Sequence, residues 1–147
     1  MNDTTAVIDR LVQDIRHAGQ VTRAPVEQAT GTALHAVGED AYFRSYRAGP
    51  IDDGDLRLSL DLREPKPNSG ATAGAILVVN VAGGCADKSA LEARYGAWRL
   101  TDAPRGRSLD EQAYWTKTEP WGELSFGFAE GKPDCLRSIV FKAAGPR

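Results

Sequence analysis

Apolar residues recur at helical spacing near the start of the chain and at strand spacing further on. Between residues 4 and 18 they fall every three or four positions with charged residues between them, which predicts an amphipathic helix that ends at Gly19. From Leu56 to Arg63, four leucines alternate with four polar residues. This alternation predicts a strand with one buried face and one face in water.

Shorter patterns predict the remaining elements. They comprise helices over 23–31 and 87–95, the second ended by Gly96, and strands over 40–48, 75–81, 113–117, 123–128 and 136–142. Gly49-Pro50 and the following Asp52-Asp53-Gly54 predict a turn after the first strand, and residues 97–111 predict a long polar loop. The 75–81 strand is apolar on both faces, which favours a central position in the sheet.

This order of elements predicts an α+β fold, with short helices packed on one face of an antiparallel β-sheet. Ala41-Tyr42-Phe43 precedes one alternating strand and Ala113-Tyr114-Trp115 precedes another, each after a short helix. One interpretation is a duplicated helix-plus-hairpin unit, and the other is that two antiparallel meanders resemble each other by chance.

Length and charge narrow the class of protein. A chain of 147 residues with 41% hydrophobic content fits a single domain over 1–147. A formal charge of −2, with both signs interspersed, argues against nucleic acid as a partner, and the longest apolar run, 75–79, is too short to insert in a membrane. The opening Met1 to Thr5 has no apolar signal segment, so we expect either a cytoplasmic protein or the mature form of an exported one.

The two cysteines, Cys85 and Cys135, allow two structural interpretations. Each lies at one end of a predicted strand, so a disulfide between them is plausible if both strands share a sheet. Closing that loop of about 50 residues would stabilise the fold by about 4 kcal/mol, and such a bridge favours a secreted or periplasmic location. The alternative is two free, buried thiols.

An enzymatic interpretation starts from the same cysteine. A thiolate at Cys85 could be activated by His17 or His35 and by the start of the helix that follows it. The spacing does not distinguish this cysteine-dependent hydrolase from the disulfide. Gly83-Gly84 lacks the rest of a phosphate-loop motif, and the carboxylates at 52–53 and 110–111 lie in turns, so no cofactor, metal or acid–base pair is predicted.

The loops carry residue types that are common in protein interfaces. Arg and Trp often supply interface energy, and the loops over 64–74, 101–111 and 119–122 are the ones expected to present them. Trp121 lies at a predicted hairpin tip, where it either contacts a partner or folds back over the sheet edge. The predicted partner-binding residues are Ser69, Arg105, Gly106, Arg107, Ser108 and Trp121.

The second half of the chain resembles known envelope proteins. The resemblance covers 75–142 and rests on Tyr95-Gly96, Tyr114-Trp115, the segment 121–126 and the segment 135–141. These patterns are similar to small α+β envelope proteins such as the β-lactamase inhibitory protein and outer-membrane assembly lipoproteins. They also resemble the periplasmic immunity proteins made against type VI secreted peptidoglycan amidases.

The resemblance implies a non-enzymatic, periplasmic protein that binds a secreted peptidoglycan hydrolase and inhibits it by inserting a loop into its active-site cleft. An envelope scaffold of the outer-membrane assembly type is the alternative, with the cysteine-dependent hydrolase behind it. The amphipathic N-terminal helix could serve either the core or a homodimer interface.

Overall fold

An eight-stranded antiparallel sheet organises the chain in the computed structural model, which describes residues 3–145. Met1 and Asn2, which belong to the opening segment considered above, lie outside the described residues. The helices are α1 (Asp3–Ala18), α2 (Arg23–Thr30) and α3 (Lys88–Tyr95). The strands are β1 (His35–Glu39), β2 (Phe43–Asp53), β3 (Leu56–Pro65), β4 (Ile76–Ala82), β5 (Arg99–Asp102), β6 (Gln112–Glu119), β7 (Gly122–Ala129) and β8 (Leu136–Ala143). The predicted α+β fold is confirmed.

The strand order is β1-β2-β3-β4-β8-β7-β6-β5. Strands β1 to β4 form one meander, called here the first half, and β5 to β8 form a second meander, the second half. The halves join where β4 pairs with β8, with Val78 opposite Val140. Helices α1 and α2 precede the first meander and α3 precedes the second. Each half is therefore helical residues followed by four strands, a larger unit than the predicted helix-plus-hairpin.

Strand alternation places the core on the helix-covered face of this sheet. The leucines of β3 are buried there, and their neighbours Leu77, Val79 and Val81 of β4 continue the layer. In the second half, Phe126 and Phe141 are fully buried on the same face. Full burial of such side chains stabilises a fold by roughly 1.5–3 kcal/mol each.

The helices meet this layer through their apolar faces. Ile8, Val12 and Ile15 of α1 are buried at helical spacing, as predicted. Asp87 caps α3 by accepting a hydrogen bond from the Ala90 N–H at 3.2 Å. The Tyr95 hydroxyl donates to Asp9 at 2.6 Å and so joins α3 to α1. Burial and this hydrogen bond raise the pKa of Tyr95.

The opposite side of the sheet, called here the open face, carries the other residues of each strand. Hydrophilic side chains such as Arg57, Ser59 and Asp61 of β3 lie on it. Ile76 and Val78 of β4 lie on it too and are half-buried. The central position predicted for this strand is confirmed, although its second face is not covered by a helix.

Two local predictions are wrong, and one strand lies in a segment for which no element was predicted. The Gly49-Pro50 part of the predicted turn is a register shift inside β2, which continues to Asp53 beside β3. The Asp52-Asp53-Gly54 part is confirmed, because the β2–β3 turn follows at Gly54 and Asp55. Both edge strands, β1 and β5, fall in segments where no strand was expected. All residues of these two strands are exposed, so neither shows the alternation that marks a half-buried strand. No helix in the described range 3–145 is long and apolar enough to span a membrane.

Candidate protein-binding loop

Residues 103–111, called here the contact loop, are held in shape by one carboxylate. The Glu111 side chain accepts hydrogen bonds from the backbone N–H of Arg105 at 3.0 Å, Arg107 at 2.6 Å and Ser108 at 3.0 Å. These donors, Arg105 first, lower the pKa of Glu111 below its ordinary value. The loop is therefore closed around its own charged residue at neutral pH.

A second set of bonds fixes the contact loop to the connection between β7 and β8. The Gly131 N–H donates to the Leu109 carbonyl at 2.9 Å, and the Glu130 N–H donates to the Glu111 carbonyl at 2.9 Å. Ser108 Oγ accepts from the Asp110 N–H at 3.1 Å and tightens the tip. An exposed loop with this many internal bonds loses less conformational freedom when a partner binds.

Most residues of the contact loop other than Glu111 are exposed to solvent. Leu109 is 69% exposed, the highest value among the large exposed hydrophobic residues of the described chain. Arg105 and Arg107 are also exposed, and neither guanidinium has a carboxylate within 4 Å in the part of the chain that the structure describes. The loop thus presents one exposed aliphatic side chain and two exposed guanidinium groups.

The predicted Cys85–Cys135 pairing is present next to this loop. The two sulfurs are 2.05 Å apart, and the bridge links the end of β4 to the start of β8. Two backbone bonds flank it, from the Lys88 N–H to the Asp134 carbonyl and from the Leu136 N–H to the Ala86 carbonyl. Because a disulfide sulfur carries no thiolate, the bonded form of Cys85 does not offer the nucleophile that the enzymatic interpretation needs.

The other motifs considered in the sequence have structural explanations. A Cβ at Gly83 would lie 2.5 Å from the Asp55 carbonyl oxygen. Glycine is therefore required where the segment after β4 meets the turn between β2 and β3. Asp52 pairs with Arg57 at 3.0 Å. His17 and His35 are exposed on α1 and β1. Within residues 3–145, no group of three or more His, Cys, Asp or Glu residues is arranged to hold a metal ion.

Trp121 folds back over the sheet edge, which is one of its two predicted positions. Its ring is half-buried and stacks on Phe141 with ring centroids 6.1 Å apart. Ser69 supports its own loop by donating to the Tyr42 carbonyl at 3.3 Å and accepting from the Ala71 N–H at 3.3 Å. Both residues therefore have structural contacts within the domain.

The predicted partner-binding residues lie at two opposite ends of the sheet. Arg105, Gly106, Arg107 and Ser108 precede β6, at the end that carries the disulfide, whereas Trp121 follows β6 and Ser69 precedes β4 at the other end. An eight-residue strand separates the two groups by about 23 Å. The structure thus brings together four of the six residues.

Two residues of this site were missed in the sequence. Leu109 was not singled out, because a lone exposed leucine is common at protein surfaces. Glu111 was treated only as a solvated carboxylate. The spacing Ser108-x-x-Glu111 matches a capping box, in which the acidic side chain accepts the N–H of the first residue. That signal could have located the closed loop, although here no helix follows it.

Comparison with known proteins adds no relative for this chain. No protein-family model, curated protein or solved structure matches it.

Proposed function

We propose that this chain is a non-enzymatic binding protein, an immunity protein that inhibits a secreted peptidoglycan hydrolase of the amidase class. The contact loop enters the hydrolase's active-site cleft. The observation that carries the proposal is the closed form of this loop, in which Glu111 binds three backbone N–H groups while Arg105, Arg107 and Leu109 remain exposed.

The rigidity of the loop supports an inhibitory insertion. A flexible loop would lose backbone conformational entropy when it is fixed in a cleft, roughly 1–2 kcal/mol per residue. The hydrogen bonds from Glu130 and Gly131 to the contact loop reduce that loss, because they restrict it before binding. A preformed loop fits a preformed active-site cleft.

The charge of the loop indicates the chemistry of its target. Arg guanidinium groups bind carboxylates through two parallel hydrogen bonds. Asp110 and Glu111 balance the formal charge of residues 103–111. Neither the Arg105 nor the Arg107 guanidinium lies within 4 Å of a carboxylate among residues 3–145, so both can pair with an external one. In the proposal they bind acidic groups at the rim of the cleft, and Leu109 fills an apolar pocket of the enzyme.

The disulfide supports the location that this function requires. Disulfides persist in oxidising compartments such as the bacterial periplasm. The Cys85–Cys135 bridge fits an exported protein, and peptidoglycan hydrolases act in the same compartment. We therefore propose the periplasm as the site of action.

The test is capture of secreted proteins of the parent bacterium and its close competitors on the immobilised chain. The matched pair is Arg105→Ala/Arg107→Ala in the loop and Arg10→Ala/Arg44→Ala elsewhere on the surface, which removes the same number of charges. We expect wild type and the second variant to retain a peptidoglycan-cleaving enzyme and the loop variant to lose it. Absence of such an enzyme, or equal retention by both variants, would refute the proposal.

A further inference from the structure

The open face of the first half contains a shallow depression of about 310 Å³. The residues that matter for its chemistry are Val37 of β1, Arg63 of β3, and Ile76 and Val78 of β4. We call it the sheet depression. It lies on the side of the sheet away from the helices, apart from the contact loop in both sequence and strand order.

The floor of the sheet depression is aliphatic. Ile76 and Val78 are half-buried on the open face of β4, and Val37 is 53% exposed on the edge strand β1, which is separated from β4 by β2 and β3. Outward-facing residues of an antiparallel sheet are usually polar when that face is in water. Three aliphatic side chains in one depression therefore provide a surface that a partner's aliphatic group can cover.

The rim of the depression carries one positioned cation. Arg47 is paired with Asp61 at 2.8 Å, and Asp61 also accepts a hydrogen bond from Asn80 at 3.1 Å. Arg63 instead lies over the Phe43 ring, 4.3 Å from its centroid, with no carboxylate within 4 Å among residues 3–145.

The pKa of Asp40 is lowered mainly by two backbone hydrogen bonds and less by the charges of Lys66 and Arg63. This carboxylate is committed elsewhere, because both its hydrogen bonds come from the Tyr42 and Phe43 N–H groups at 2.8 Å. The Arg63 guanidinium is thus oriented by an aromatic ring and open to an external anion.

We propose that the sheet depression binds a segment of a partner protein in which an aliphatic side chain is followed by Asp or Glu. The aliphatic group covers Ile76 and Val78, and the carboxylate pairs with Arg63. This inference rests on the proposed function, because it gives the inhibited enzyme a second contact surface on the same chain.

A displayed library of random peptides tests this inference on the full-length, oxidised chain without the hydrolase. Arg63→Glu is compared with Arg99→Glu, a charge reversal at another exposed arginine in the second half. We expect wild type to enrich aliphatic–acidic peptides, which bind Arg63→Glu about tenfold more weakly and Arg99→Glu unchanged. Val78→Lys should have the same effect as Arg63→Glu, provided that its near-ultraviolet circular dichroism matches wild type.

Enrichment of no such peptides, or equal binding to wild type, Arg63→Glu and Val78→Lys, would overturn the proposal. Analytical ultracentrifugation tests whether a second copy of the chain occupies this surface instead. A dimer of the chain that Arg63→Glu dissociates would show that a second copy fills the depression and would also overturn it. Since the library contains no hydrolase, these outcomes are independent of whether the captured enzyme exists.

Discussion

The two halves of the sheet have the same strand topology, but they carry different kinds of side chain on the open face. In the first half, β2 and β3 are 11 and 10 residues long. The Arg47–Asp61 ion pair between them is part of the lining of the sheet depression. In the second half, the protein's own side chains cover the face. Gln112 of β6 reaches across β7 to Ser138 of β8, where its side-chain oxygen accepts a hydrogen bond at 2.5 Å.

Gly127 of β7 makes this covering possible. It lies beneath the Gln112–Ser138 bond and beside the Tyr114 ring, and a Cβ there would lie 2.6 Å from Ser138 Oγ and 2.8 Å from the ring. Ser138 is only 1% exposed as a result. A chain of hydroxyls, Thr101 to Thr116 to Ser125, continues the covering with two contacts of 2.7 Å.

The difference teaches that strand topology alone does not decide which part of a sheet keeps an exposed aliphatic surface. One half keeps an accessible aliphatic surface with an oriented cation. The other half satisfies its polar groups internally and presents its contact residues from a loop at the end of the strands. The predictions below test this division.

The largest expected effect on stability comes from removing the disulfide that joins the two halves. Cys85→Ser removes the bridge between β4 and β8, whose sequence separation is 50 residues. Loop-closure entropy predicts a loss of about 4 kcal/mol in the free energy of unfolding, measured by urea titration under oxidising conditions. Wild type in reductant should behave like the variant, and an unchanged midpoint in both would show that the bridge does not stabilise the fold.

A smaller effect on stability is expected from disturbing the Gln112–Ser138 contact on the open face of the second half. Gly127→Ala forces the Tyr114 ring and the buried Ser138 hydroxyl to move, which should cost about 1–3 kcal/mol. Gly38→Ala in β1 is the matched control, because a Cβ there meets no atom within 4 Å in the described chain and should change stability by less than about 0.5 kcal/mol. Thermal unfolding of both variants measures the difference, and equal losses would show that the covering is not specific.

The smallest effect on global stability is expected at Glu111. Its pKa is lower in the folded loop than in the unfolded chain, so its contribution is present at neutral pH and is lost as pH falls through the folded-state pKa. Glu111→Gln should loosen the contact loop at neutral pH and leave the unfolding midpoint nearly unchanged.

Amide hydrogen exchange at Arg107 and Ser108 measures this loosening, since both N–H groups donate to Glu111. Exchange rates corrected for intrinsic pH dependence should rise in the variant and, in wild type, on acidification. Asp110→Asn is the control, because that neighbouring carboxylate accepts none of the loop hydrogen bonds found in residues 3–145. Unchanged protection in Glu111→Gln would contradict the role assigned to the carboxylate.

Much of the fold was predictable because half-buried elements leave a periodic pattern. The leucines of β3 and the apolar positions of α1 predicted the bounds of these two elements to within two residues. The edge strands β1 and β5 were not predictable, since all their residues are exposed and leave no alternating pattern. Gly49-Pro50 was misassigned because a β-bulge and a turn use the same residues.

The candidate site was predictable in part for related reasons. The two arginines of the contact loop could be chosen by residue type, and the Ser108-x-x-Glu111 spacing is a local signal of its closure. The bond from Gly131 to Leu109, by contrast, requires knowing how the contact loop and the β7–β8 connection meet. The sheet depression could not be seen at all, because Val37, Arg63 and Val78 come from three different strands.

The most direct test of the central claim is inhibition of the captured hydrolase by the purified chain. Peptidoglycan cleavage would be followed by loss of turbidity at increasing concentrations of wild type, Arg105→Ala/Arg107→Ala/Leu109→Ala, and Arg10→Ala/Arg44→Ala. The account predicts full inhibition by wild type and by the surface control, and at least about a hundredfold higher inhibitory concentration for the loop variant. Unimpaired cleavage at saturating wild type, or equal inhibition by the loop variant, would contradict it.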